Sequence, residues 1–201
     1  VTQGTLQTKG TLVLKVNPQI RSDTALNHSA THLLHAALKE VLGGHIKQAG
    51  SLVSSNRLRF DYTHFSALTG KERTRIESRV NEKIRDNIQV STNEMDIDTA
   101  IKEGAMALFG EKYGETVRVV DVPGFSKELC GGTHVSATGD IGLFRIVSEG
   151  GIASGVRRIE AVTGSTAYDK VHSEYETLAA IRSALKAPTD EELSKIKKLL
   201  E

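Results

Sequence analysis

The chain has 201 residues, 26 basic against 25 acidic side chains and 38% hydrophobic content, enough for one to one and a half domains with a core of their own. That composition excludes wholesale disorder and a polycationic nucleic-acid-coating tail, and the absence of any 18-residue apolar run excludes a membrane-spanning helix. A single cysteine cannot form an internal disulfide, which suits a reducing, cytoplasmic setting. The chain opens on Val1 without a basic-then-apolar signal pattern, as expected of a piece of something longer.

Thr11–Val16 alternates and is rich in β-branched residues, predicting a strand that ends before Pro18. Asp23 is the expected cap of a helix to about Leu42, with Leu26, Ala30, Leu33, Leu34, Ala37, Leu38 and Val41 on one stripe, stopped by Gly43 and Gly44. Arg57–Tyr62 alternates as a half-buried strand, and Thr69 with Glu72 forms a capping box for a helix ending near Asn87. A short strand at Gln89–Thr92, a helix from about Asp98 to Met106 and a strand at Thr116–Asp121 follow. Ile141–Val147 and Val156–Val162 read as strands around a glycine-rich loop holding Gly150, Gly151 and Gly155. Ser165–Leu185 returns to helix, with Val171, Tyr175, Leu178, Ile181 and Leu185 near heptad spacing. Pro188 interrupts it, and Thr189 with Glu192 caps a last helix to Glu201. Strands and helices mix without strict alternation, so the fold class is α+β: a mixed or antiparallel sheet packed with helices, ending in a helical segment.

Charge is unevenly spread. Residues 1–60 carry seven basic side chains against two acidic, and residues 86–115 the reverse. Such a dipole suits either a polyanion-binding face or an ordinary solvated surface, and charge alone does not choose.

The chemistry sits in two pairs. His28 and His32 lie four apart within the first helix, so both imidazoles project from one face. Cys130 and His134 are four apart around Gly131–Gly132–Thr133. A lone pair of either kind is more often packing or surface. Together they supply the cysteine and three histidines that a tetrahedral zinc accepts. His35, His45, His64 and His172 lack such spacing and read as surface or core histidines.

The stretch Asn27-His28-Ser29-Ala30-Thr31-His32-Leu33-Leu34-His35 resembles the HxxxH helix of alanyl-tRNA synthetase editing domains. Gln48–Val53, Arg57–Asp61, Gly104–Gly114, Glu128-Leu129-Cys130-Gly131-Gly132-Thr133-His134, Gly142–Phe144 and Gly155–Gly164 follow in the order of that family. The frame is shared with free-standing trans-editing proteins and the threonyl-tRNA synthetase editing domain. The Cys-Gly-Gly-Thr-His form points to the alanyl branch.

The resemblance implies the tail of a small β-barrel over residues 1–20, an editing domain over 21–164 and a helical linker over 165–201, with the aminoacylation domain and a Gly-Gly-Gln segment lying outside. It implies zinc on His28, His32, Cys130 and His134, and hydrolysis of Ser-tRNA(Ala) and Gly-tRNA(Ala), with the acceptor end of tRNA(Ala) and the rest of the synthetase as partners and no membrane or DNA. Gln48 is placed to orient the water or the ester carbonyl. Glu128 is either a general base or an exposed loop carboxylate. Thr31 either bonds a seryl hydroxyl or bonds back to its own helix. Asp61 either supports the site or faces solvent, and Lys47, Arg157 and Arg158, the last two beside a flexible Gly150–Gly155 loop, are candidate phosphate contacts. The alternatives are a non-catalytic zinc-stabilised tRNA-binding module and a free-standing trans-editing deacylase.

Overall fold

The structure, a computed structural model, describes residues 14–107, 113–188 and 191–201. Seven strands and five α-helices form among them: α1 (Pro18–Leu42), β1 (Gln48–Val53), β2 (Leu58–Thr63), α2 (Gly70–Arg85), β3 (Ser91–Asp96), α3 (Ile97–Lys102), β4 (Thr116–Val122), β5 (Ser126–Leu129), β6 (Phe144–Ala153), β7 (Val156–Thr163), α4 (Gly164–Leu185) and α5 (Glu192–Leu200). Two antiparallel sheets result, β1-β2-β7-β6 and β3-β4-β5, so the α+β expectation holds.

Helix α1 starts earlier than its sequence suggests. Asn17, not Asp23, caps it, the Asn17 side chain accepting from the Ile20 N–H, and Pro18 occupies the first turn, where its missing N–H leaves nothing unsatisfied. Asp23 instead accepts from the Gln19 amide within the helix. The strand expected at Thr11–Val16 falls mostly outside the described residues; Leu14–Val16 carry no regular structure. The barrel tail expected over residues 1–20 is likewise mainly outside them, and residues 18–20 belong to α1.

The apolar stripe of α1 (Ala30, Leu33, Leu34, Ala37, Leu38) packs with Leu58, Phe60 and Tyr62 of β2, Ile159 and Ala161 of β7 and Ile76, Val80 and Ile84 of α2 in the main core. The Thr69–Glu72 capping box forms as expected. A smaller cluster of Ala100, Ala105, Val117, Val119 and Leu129 lies between α3 and the second sheet.

Three boundaries differ from expectation. Gln89 makes only an isolated bridge to Ala137, and the ladder begins at Ser91, paired with Asp121. Strand β3 is exposed except at Met95, so it lacks the alternation that would reveal it. Helix α3 stops at Lys102, two residues before Gly104 takes a positive φ, rather than at Met106. The glycine-rich loop is largely strand: β6 runs through Gly150 and Gly151, paired with Arg158 and Arg157, and only Gly155 turns with φ +68°. Backbone pairing with β7 overrides the glycines' weak strand preference. Helix α4 forms with its expected stripe exposed at Val171, Tyr175, Leu178 and Ile181. The capping box expected at the start of α5 rests on Thr189, outside the described residues.

Candidate metal centre

Helix α1 presents His28 and His32 on successive turns of one face, toward the turn that follows β5. Cys130 and His134 approach from that turn, and one ligand atom from each of the four lies within 4.8 Å of the others. Cys130 Sγ is 3.4 Å from His28 Nε2 and 3.3 Å from His134 Nε2. With bonds of about 2.0–2.3 Å, the donor–donor edge of a tetrahedron is ~3.3–3.8 Å, so these separations fit a small tetrahedral ion.

The residues around the four fix their orientation. Glu128 on β5 is buried and accepts from His32 Nδ1 at 2.8 Å and from His35 Nδ1 at 3.0 Å. His32 Nε2 is then a buried ring nitrogen without a hydrogen-bond partner, which is the condition of a metal ligand. Ser29 Oγ lies 3.2 Å from His134 Nδ1 and accepts from the Val135 N–H, directing His134 Nε2 to the sulfur. Arg118 on β4 donates to the carbonyls of Cys130 and Gly132, at 2.9 and 2.6 Å, and pins the turn. Gly132 lies so close to His28 that a Cβ there would overlap the imidazole Cε1 and Nδ1. The Gly-Gly step is thus a steric requirement at Gly132; Gly131 has open space.

Electrostatics follow the contacts. Burial works against ionising the Cys130 thiol, yet the facing imidazoles of His134, His28 and His32 outweigh it and lower its pKa to about 3, so the sulfur is in the thiolate form that metals bind. Burial likewise opposes protonation of His32, but the Glu128 charge prevails and raises its pKa; a metal ion on Nε2 would take the place of that second proton. The same pairing, against burial, holds the Glu128 carboxyl far below the usual carboxylate range. Burial lowers His134.

The other candidate residues do not all join this cluster. Thr31 is buried, and its hydroxyl donates back to the Asn27 carbonyl at 2.8 Å, the second of its two expected states. Glu128 is neither exposed nor in a loop, and both its oxygens are taken by imidazoles. Asp61 does not face solvent: it is buried and accepts from Arg158 at 2.7 and 2.8 Å. Arg157 is bound to Glu149, which also accepts from the Tyr62 hydroxyl. Both guanidiniums are therefore engaged in ion pairs on the sheet, where they were expected as phosphate contacts beside a flexible loop. Lys47 is exposed, and Gln48 stands beside it at the start of β1, where the ladder bulges.

The sequence reading missed His35 as a partner of Glu128, and Ser29 and Arg118 altogether. His35 sits three residues past His32 on the same face, a signal that was there to read; Arg118 joins the site only through β4–β5 pairing. His45 Nε2 and His64 Nδ1, read as isolated, lie 3.0 Å apart at the surface.

An α+β fold that brings three histidines and a cysteine together defines a candidate metal-binding domain. Residues 117–160 match the family described as the threonyl and alanyl tRNA synthetase second additional domain. Along nearly its whole length the chain is similar to alanine–tRNA ligases. It is 59% identical to the alanine–tRNA ligase of Saccharophagus degradans over 186 residues, 92% of this chain and 21% of that protein. It is 51% identical to that of Nitrosomonas eutropha over 201 residues, 100% of this chain and 23% of that protein, and 53% identical to that of Pseudomonas syringae pv. syringae over 202 residues, with the same coverage. The chain thus spans about a fifth of the length of the curated relatives it matches. No helix among the described residues is long and apolar enough to cross a membrane.

Proposed function

We propose that this chain is the editing segment of an alanyl-tRNA synthetase and hydrolyses the ester joining serine or glycine to the terminal adenosine of tRNA(Ala) in the cytoplasm. The observation that carries this reading is the convergence of His28, His32, Cys130 and His134 within a sequence that alanine–tRNA ligases share along 92–100% of its length. That coverage favours a segment joined to a synthetase over a free-standing deacylase. The need for such a step is physical. One methylene is worth only about 1–3 kcal/mol of discrimination, so a pocket for alanine cannot strongly reject glycine, and a hydrophobic pocket rejects an added hydroxyl only weakly.

The three imidazoles and the thiolate suit zinc, which when bound supplies a fixed positive charge to anchor or polarise the substrate's polar groups. Four protein donors favour an organising and anchoring role. Gln48 uses its amide to orient the ester carbonyl or a water. Thr31 donates to Asn27, and its remaining lone pairs accept from a seryl hydroxyl; an alanyl group would leave them unpaired. Glu128 acts through His32 and His35, as a positioning residue. Asp61 supports the site by fixing Arg158 across β2 and β7, and because Arg157 and Arg158 already hold carboxylates, Lys47 is the phosphate contact of the three.

Cys130→Ala should abolish release of serine from Ser-tRNA(Ala), with Ala-tRNA(Ala) left intact by both proteins; an unchanged rate overturns the proposal. The four-donor closure also favours a purely structural metal module. That reading wins if the metal-loaded chain never hydrolyses Ser-tRNA(Ala) and chelation unfolds it. We expect hydrolysis, and retention of helical circular dichroism after chelation, because none of the four donors belongs to either apolar core.

A further inference from the structure

His28, His32, His35 and Lys39 stand at spacings of four, three and four along α1, one continuous face of the helix. The first two join the metal cluster. The last two line a cavity of about 360 Å³ beside it, whose other polar walls are Lys47 and Gln48 and whose apolar walls include Ile46 and Met106. Two features give this cavity a sign. No carboxylate lines it among the described residues. The Lys39 ammonium rests at 2.7 Å on the Met106 thioether, a weak acceptor, and neither lysine has an acidic partner among the described residues. Two ammonium groups and a primary amide, with no carboxylate among the described lining residues, make an anion site.

We propose that this cavity binds a backbone phosphate of the single-stranded RNA end whose terminal ester is presented to the metal cluster. The inference deepens the editing reading and rests on it for the identity of the RNA. Scale supports the assignment: from His32 to Lys39 the helix rises ~10 Å, which is on the order of one nucleotide step from an ester on the terminal ribose to a phosphate behind it. The α1 face then works as a ruler, with the aminoacyl group at its histidine end and the phosphate at its lysine end. Phosphate contacts of this kind fix register and carry no sequence information.

The test is binding of an uncharged acceptor-stem hairpin with a 3′ single-stranded tail to the 201-residue chain, followed by fluorescence anisotropy over a salt series. The Lys39→Gln/Lys47→Gln double variant, checked for an unchanged melting curve, should bind more weakly. Its log Kd against log salt slope should be shallower by ~0.7 for each phosphate that the lysines no longer neutralise. A hairpin lacking the tail should show no difference between the two proteins. Equal Kd and slope on the tailed hairpin overturn the proposal, as does a difference that persists without the tail, and competition by inorganic phosphate alone at equal strength would assign the cavity to free phosphate and overturn it too. Serine release from Ser-tRNA(Ala), measured in parallel on the unmodified chain, keeps the readings apart. Hydrolysis with no effect of the lysines removes the phosphate site alone, and a salt effect without hydrolysis removes the editing reading alone.

Discussion

Glu128 on β5 holds His32 on α1 by a 2.8 Å hydrogen bond at Nδ1, and this contact ties the second sheet to the helix that carries half the cluster. It fixes the His32 tautomer so that Nε2 faces the other donors. Glu128→Gln should lower metal affinity about 10–100-fold, the usual effect of removing a carboxylate behind a ligating histidine, read by competition with a chromogenic chelator. If hydrolysis falls while affinity stays level, Glu128 acts on the substrate and the positioning role is wrong.

Gly132→Ala should displace His28, because the added methyl overlaps its ring. The expected result is loss of metal binding with little change in helical content. Gly131→Ala is the control: nothing lies within 4 Å of its Cβ, and its affinity should remain within a few-fold of the parent.

Asn27 is a buried cross-link. Its amide donates to the Ser54 and Ser55 carbonyls at 3.0 and 3.2 Å, and its carbonyl oxygen accepts from the Thr163 hydroxyl at 2.9 Å. Asn27→Ala removes these bonds and strands buried partners, so it should destabilise the chain by about 1–3 kcal/mol, measured by urea unfolding. A destabilisation below a few tenths would mean that water replaces the amide.

The pH dependence of α2 rests on Glu72. Hydrogen bonds from the Thr69 backbone and side chain lower the Glu72 pKa below its ordinary 4.5. Because the folded value is the depressed one, the stabilisation is complete above pH 4.5 and is lost as pH falls through the folded value. The stability gap between the parent and Glu72→Gln should therefore be constant from about pH 6 to 8 and shrink below about pH 4. A gap that widens in acid would reverse the sign.

Much of this was legible beforehand. The α1 stripe, the Thr69–Glu72 box and the alternation of Leu58, Phe60 and Tyr62 are local patterns, and each formed because burial on one face acts at the same spacing as the pattern. The His28 and His32 pair was legible for a similar reason, since a four-residue step on a helix places both side chains together, whereas Cys130 and His134 lie in the turn after β5, where the fold brings them together. Strands β1 and β5 were missed as elements. Their residues, Gln48-Ala49-Gly50-Ser51-Leu52-Val53 and Ser126-Lys127-Glu128-Leu129, are short and partly polar and take their strand state from a partner's backbone. The capping role of Asn17 was hidden behind the more conspicuous Asp23.

The sequence by itself determined the elements with a period, the donor types and the family. Only tertiary structure decided what the charged groups do. Asp61 is buried against Arg158, Arg157 is tied to Glu149, and Glu128 is enclosed between two histidines. Each of those partners is 8 to 97 residues away along the chain. Whether a carboxylate is a solvated surface group or a buried anchor depends on which opposite charge the fold brings within hydrogen-bonding reach, and no local spacing encodes that encounter.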